Sequence, residues 1–236
     1  MSPAKTAQAL VLSATIAIGV LGLWAPNAWA HRPVFSSPPH HASDATALRL
    51  PDIDVSRAIY RRAPNAEPFW LSFEGHADAT LRLQLGVPRI DRLSSYRPTA
   101  TLRGPGLPSP DSSPLALDLS ESQGARVFRT EGVATPRTFH EPITGTTSWV
   151  LLDSSVHLPE AGRYELIVQA AEPGRHWVSV GHREAFGLAD MAKLPGWTER
   201  VRAFHEVGGW PAWMTIGAVV LGLLAMGGIW IGARSL

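Results

Sequence analysis

The sequence predicts a mainly β protein: an antiparallel β-sandwich or jelly roll, then a short juxtamembrane helix and one C-terminal transmembrane helix. Three observations predict it. Short apolar runs recur through the middle of the chain, cut by turn residues. The 20 Pro and 21 Gly argue against long helices there, and no helical pattern separates the runs as the crossovers of a parallel sheet would require. The two ends, by contrast, are almost purely apolar.

At the N-terminus, Lys5 precedes an apolar run from Ala9 to Ala25. Ala28-Trp29-Ala30 supplies a small-x-small cleavage pattern, so residues 1–30 read as a signal peptide cut before His31, with an uncleaved anchor as the alternative. Residues 31–47 hold Pro33, Pro38, Pro39, His40 and His41 without periodicity and read as a flexible lead-in.

Residues 48–183 carry the strand pattern. Ile59-Tyr60 ends one run and Phe69–Phe73 makes another. Leu81, Leu83 and Leu85 alternate with Arg82 and Gln84, which puts the leucines on one face of a strand. Thr99–Leu102 stops at the turn Gly104-Pro105-Gly106, a Pro/Ser/Asp-rich loop follows from Pro108 to Pro114, and Arg126–Arg129 reads as a strand. Ser148–Leu152, Tyr164–Val168 and Trp177–Val180 complete the set. Roughly seven to nine short strands without intervening helices make a sandwich. Trp149 is expected in its core, since large aromatics dominate such cores.

Two of these turns carry a family resemblance. Thr101-Leu102-Arg103-Gly104-Pro105-Gly106 and Leu158-Pro159-Glu160-Ala161-Gly162-Arg163-Tyr164, in the order of strands over residues 48–181, resemble prepeptidase C-terminal domains. The resemblance implies a small jelly-roll accessory module without catalysis of its own, although no peptidase is attached here.

Residues 184–209 form the junction. Pro195 is suited to start a helix, and Trp197, Val201 and Phe204 then share one face, with Gly208-Gly209 ending it. That face is expected to pack beneath the sandwich, the membrane surface being the alternative. From Trp210 to Ala233 no residue is charged, and at about 1.5 Å per residue the run spans a ~30 Å hydrocarbon layer. Residues 234–236 make the cytoplasmic tail. Gly228-Ile229-Trp230-Ile231-Gly232 matches a small-xxx-small dimerisation pattern through Gly228 and Gly232. The expected location is the cytoplasmic membrane, single-pass, with the bulk of the chain on the periplasmic or extracellular side. The membrane, through residues 210–233, and a membrane protein or other polypeptide are the expected partners.

Composition removes several function classes. The absence of Cys excludes disulfides, thiolate metal sites and a cysteine nucleophile, and 21 basic against 20 acidic residues lack the excess that nucleic acid needs. No P-loop, dinucleotide-binding glycine pattern or Gly-x-Ser-x-Gly elbow occurs. His140-Glu141 and His205-Glu206 open like a zinc-protease motif, but Thr144 and Gly209 stand where the second His belongs. Asp52, Asp54, Asp153 and Glu160 lack EF-hand spacing and read as solvated loop carboxylates.

The leading expectation is therefore a membrane-tethered extracytoplasmic binding or accessory module, with no cofactor and no catalysis of its own. The alternative is a copper-binding carrier or oxidative enzyme. Cleavage after Ala30 would expose an α-amine beside the His31 imidazole, a copper-chelating brace, and imidazole suits copper. A second imidazole would complete it, and His40-His41 in the lead-in form a further paired candidate. His31, His40 and His41 are thus the candidate metal ligands.

Overall fold

The computed structural model describes residues 31–109, 123–185, 187–209 and the single positions 211, 214 and 217. The predicted signal peptide therefore lies outside the described residues, as does the predicted span apart from Pro211, Met214 and Gly217. Among the described residues no helix is long and apolar enough to cross a membrane.

Among the described residues eleven strands build two facing sheets. They are β1 (Arg32–Ser36), β2 (Leu48–Leu50), β3 (Arg57–Ala63), β4 (Phe69–Gly75), β5 (Thr80–Pro88), β6 (Thr99–Pro105), β7 (Gln123–Phe128), β8 (Arg137–Glu141), β9 (Thr146–His157), β10 (Gly162–Gln169) and β11 (Gly174–Val180). A six-stranded sheet runs β1-β3-β11-β5-β9-β8 and a five-stranded sheet runs β2-β4-β10-β6-β7. Among the described residues one α-helix, α1 (Leu188–Phe204), follows.

The expected sandwich is present, with one correction: the sheets are mixed. β1 runs parallel to β3 and β2 parallel to β4, each at a sheet edge, while the remaining pairs are antiparallel. The physical reason lies in the stretch expected to be a loose lead-in. Instead of hanging free, it adds β1 to the edge of the six-stranded sheet and then leads, through the turn at residues 37–41 and a 3₁₀ turn at Asp44–Thr46, into β2 at the edge of the five-stranded one. Pro33 sits in β1 without disrupting it, because an edge strand has one side with no ladder to break.

Period-two patterning fills the interior. Leu81, Leu83 and Leu85 of β5 are fully buried, facing Phe69, Leu71 and Phe73 of β4 and Tyr164, Leu166 and Val168 of β10 within one cluster. Each such side chain contributes about 1.5–3 kcal/mol by leaving water. On the other face, Arg82 and Gln84 donate to Asp153 on β9. Trp149 lies at intermediate burial against a smaller cluster of Val87, Leu93, Tyr96 and Leu151, rather than in the main core.

The two motifs behind the family resemblance form one corner. The Tyr164 hydroxyl lies between the carbonyls of Pro105 (2.9 Å) and Glu160 (2.8 Å) and donates to them. Its ring stacks on Phe73, with centroids 5.7 Å apart, and passes so close to Gly104 that a Cβ there would meet it at 2.2 Å. A tyrosine that bonds back to backbone a few residues upstream is a known corner device of sandwiches.

The helix covers part of the outer face of the six-stranded sheet. Val201 and Phe204 are buried, and Phe204 joins Trp177, Val150, Tyr60 and Phe139 in a third cluster. The expected packing beneath the sandwich is therefore observed, but the expected start is corrected: α1 begins at Leu188, and Pro195 lies inside it. A tertiary contact sets that start. The Asp190 carboxylate accepts from the Gly187 N–H at 3.0 Å, capping the first turn, and pairs with Arg32 of β1. These contacts, the Gly187 N–H foremost, hold its carboxyl below the usual range.

Candidate functional site

The first residue expected after signal cleavage is built into the fold. The Arg32 N–H donates to the Ser56 carbonyl at 3.1 Å, which fixes the entry to β1 and lays the His31 ring against β3 and β11. His31 Nδ1 hydrogen-bonds the Ser56 hydroxyl, and the Ser179 hydroxyl lies 3.4 Å from the ring nitrogens. Burial lowers its pKa to about 4, so the imidazole is neutral at ordinary pH.

The ring lines a cavity of about 50 Å³, a space of water or single-ion size, together with Tyr60, Glu141, Thr144, Trp197 and Thr198. Glu141 does not face it as a free base. Its oxygens accept from the N–H groups of Ile143 (3.0 Å) and Thr144 (2.7 Å), closing the turn between β8 and β9. Burial, with Glu141 nearby, raises the Tyr60 phenol, which stays protonated. The cavity therefore offers a neutral imidazole and hydroxyls, with its one carboxylate already occupied.

His40 and His41 lie at the opposite end of β1, in the turn that follows it. Five strand residues at about 3.3 Å each place them roughly 16 Å from His31, so the three candidate ligands do not converge on one ion. Their own rings are 6.1 Å apart between centroids. His41 Nδ1 bonds Ser36 at 2.9 Å, and burial together with Arg61 and His40 lowers its pKa. His40 is exposed, and its carbonyl accepts from Arg61. Among the described residues no group of three or more His, Cys, Asp or Glu is arranged to hold a metal ion.

Pattern reading missed the buried polar residues. Arg61 is fully buried: it donates to Ser36 (3.0 Å) and the His40 carbonyl (2.8 Å), lies over the Phe69 ring and faces Glu67 at 3.9 Å. Its cross-strand neighbour His176 meets the Tyr96 hydroxyl at 3.0 Å, and burial followed by Arg61 lowers its pKa to about 3. Parity was the available signal, since Arg61 shares its strand face with Ile59.

A second missed group lies under α1. Trp177 Nε1 donates to the Ser148 hydroxyl (2.9 Å), Ser148 donates to His205 Nε2 (2.9 Å), and His205 Nδ1 donates to the Val201 carbonyl (2.9 Å). This directional chain requires a neutral imidazole, and burial lowers the His205 pKa to about 4. The signal was helical spacing: Thr198, Val201, Arg202 and His205 fall on one face.

No family model matches the chain, and no curated protein matches it. Solved structures do. A novel β-glucosidase from Paenibacillus barengoltzii matches with TM-score 0.28 and 14% identity, over 64% of this chain and 13% of that one. CorA, a surface-associated copper-binding protein important in copper acquisition by Methylomicrobium album BG8, matches with TM-score 0.30 and 10% identity, over 65% of this chain and 99% of that one. The copper-binding secreted protein MopE of Methylococcus capsulatus matches with TM-score 0.28 and 10% identity, over 65% and 100% of the two chains. The metal chemistry of the last two belongs to those proteins, and the site in this chain stands on its own residues.

Proposed function

We propose that the chain is an extracytoplasmic binding or accessory module, without catalysis of its own, tethered to the cytoplasmic membrane through residues 210–233. The observation that carries this reading is the junction. Phe204 and Val201 seat α1 on the sandwich, and Arg202 donates to the carbonyls of Gly208 and Gly209. The residues just before the chargeless run are thus held against the folded domain, which suits a module displayed close to the bilayer. A membrane protein or other polypeptide is the partner class that such a display serves. Protease treatment of intact spheroplasts tests it: release of a fragment from residues 31–209 is expected, and protection of that region overturns the topology.

A second reading, copper binding at His31, is favoured by one feature. The imidazole is held neutral in a cavity wall at the residue that cleavage after Ala30 would make the amino terminus. The ligand set would be the α-amine and one ring nitrogen, with the Ser56 hydrogen bond given up. N-terminal sequencing of the membrane-extracted protein decides whether that amine exists. Copper titration of the wild type against His31→Ala then tests the site, and equal affinities overturn it.

A further inference from the structure

The two ends of the sandwich differ in charge. The loops at the His31 end carry Asp52, Asp54, Asp78, Glu160 and Glu184, with Arg183 their one arginine or lysine among the described residues. The end where α1 finishes presents arginines instead. Arg62 lies near the end of β3, Arg89 and Arg92 follow β5, and Arg175 lies near the start of β11, at strand ends that pairing brings together.

These four arginines are short of carboxylates. Arg92 donates to both oxygens of Glu206, and Arg175 reaches the same carboxylate at 2.8 Å while donating to the Phe204 carbonyl at 2.6 Å. Arg62 is exposed and has one long bond, to the Ala203 carbonyl at 3.4 Å. Arg89 is exposed, and its side chain has no hydrogen bond or ion pair among the described residues. Asp91 and Glu172 are exposed at the same end and pair with none of the four. Burial lowers the Arg175 pKa, Glu206 pulls it back, and Arg62 and Arg92 push it down again, so these guanidiniums repel one another across a single shared anion.

The cluster stands at the foot of α1. Glu206 is the second residue beyond Phe204, and four residues of chain, at most about 14 Å, separate it from Trp210, where the chargeless run starts. Val207 beside it is 36% exposed, one of two large exposed hydrophobic side chains among the described residues. Guanidiniums with free donors match phosphate oxygens, and an exposed aliphatic side chain between them matches the headgroup layer. An anionic surface attracts this end and repels the acidic loops at the other, so both ends favour the same orientation.

We propose that this end of the domain docks on an anionic phospholipid surface, with Arg62 and Arg89 on the phosphates, Arg92 and Arg175 adding charge behind them, and Val207 against the headgroups. The proposal rests on the membrane-anchor reading above and adds what an anchor alone does not give, a preferred face toward the bilayer.

The chain has no cysteine, so Ser94→Cys, on the exposed turn after Arg92, places one dye at the docking end, and Ala77→Cys places one at the far end. The full chain is put in vesicles of phosphatidylcholine alone or mixed with phosphatidylglycerol, with a quencher on a small share of the headgroups. Quenching at Ser94→Cys is expected to rise strongly with phosphatidylglycerol and to fall back at high salt. Each arginine at such a surface is worth about fivefold in the docked equilibrium, so Arg62→Gln with Arg89→Gln should return quenching most of the way to the phosphatidylcholine level. Neither side chain has a close bond to lose, and an unchanged melting temperature shows an intact fold. Arg49→Gln, at a side chain 75% exposed on β2, should leave quenching unchanged, and an equal fall there shows a general charge effect and overturns the proposal. Equal quenching in the two vesicles, while the protein floats with both, overturns the docking face and leaves the anchor standing. Stronger quenching at Ala77→Cys than at Ser94→Cys turns the wrong end to the bilayer and also overturns it. Flotation with phosphatidylglycerol vesicles only, lost at high salt, overturns the anchor and supports the face, whereas flotation with neither overturns both.

Discussion

The interior between the sheets and the face beneath α1 bury comparable side chains by different means. Between the sheets the contacts are aliphatic and aromatic, and Leu81, Leu83, Leu85, Leu102 and Leu166 are wholly removed from water. Beneath α1 the outer face of the six-stranded sheet helps to bury Ser148, His205 and Arg202 beside Trp177 and Phe204, and a cavity of about 50 Å³ remains at His31. Close packing of apolar groups tolerates no ligand, whereas a polar layer with space can accept one. The sandwich interior is therefore the scaffold, and the helix-covered face is where buried polar groups and open space meet.

The largest expected effect breaks the second region. Phe204→Ala removes the aromatic that Tyr60 contacts edge-on at 5.0 Å, and should destabilise the domain by roughly 3–5 kcal/mol in urea denaturation, as for other buried aromatics. A chain ending after Gly209 should melt above one ending at Ala192. Equal melting temperatures would show that α1 is no part of the cooperative unit.

Acid should separate the regions next. His176 and His205 are neutral when folded, with pKa values lowered to about 3 and about 4, whereas the unfolded chain takes up these protons near pH 6.5. The unfolded state thus binds more protons between pH 6.5 and about 4, so stability falls as pH falls through that window. Each site contributes a slope of about 1.4 kcal/mol per pH unit once pH is well below 6.5. His205→Gln preserves the geometry of donating to Val201 and accepting from Ser148, and should flatten the slope measured from urea midpoints against pH. An unchanged slope would contradict the buried neutral chain.

How much of this the sequence discloses depends on where each constraint originates. The β5 leucines and the Tyr164 corner are legible because the information is local: alternation along one strand, and two turn motifs that later meet. β1, β2 and β8 are not, for they are short or polar edge strands. Arg137-Thr138-Phe139-His140-Glu141 shows mostly side chains facing solvent and no apolar stripe. The beginning of α1 is hidden for another reason, since Arg32 fixes it from far away in the chain. His31 was legible as a candidate but its surroundings were not, because Ser56 and Ser179 reach it only through strand pairing.

Within the scaffold, Tyr164→Phe sharpens the corner. The ring and its stacking on Phe73 remain, and only the hydroxyl shared by Pro105 and Glu160 is lost. A loss of about 1–2 kcal/mol is expected from denaturant midpoints, the size of a hydrogen bond whose acceptors are left partly unsatisfied. A larger loss would mean that the hydroxyl also sets the register between β6 and β10.

The smallest effect comes from the part of the outer face that α1 does not cover. Arg82 and Gln84 of β5 and Arg137 of β8 all converge on Asp153 of β9, with Arg82 37% and Arg137 54% exposed. Water and salt screen such pairs, and holding long side chains in place costs entropy, so Arg82→Ala should cost less than about 1 kcal/mol and less still at high salt. Its neighbour Leu83 points into the interior from the same strand, and Leu83→Ala should cost several times more. Urea midpoints for the two variants, measured at low and high salt, compare the two faces of one strand directly. A large, salt-insensitive loss at Arg82 would mean that Asp153 organises the strand ends, and that this half of the face is also part of the scaffold.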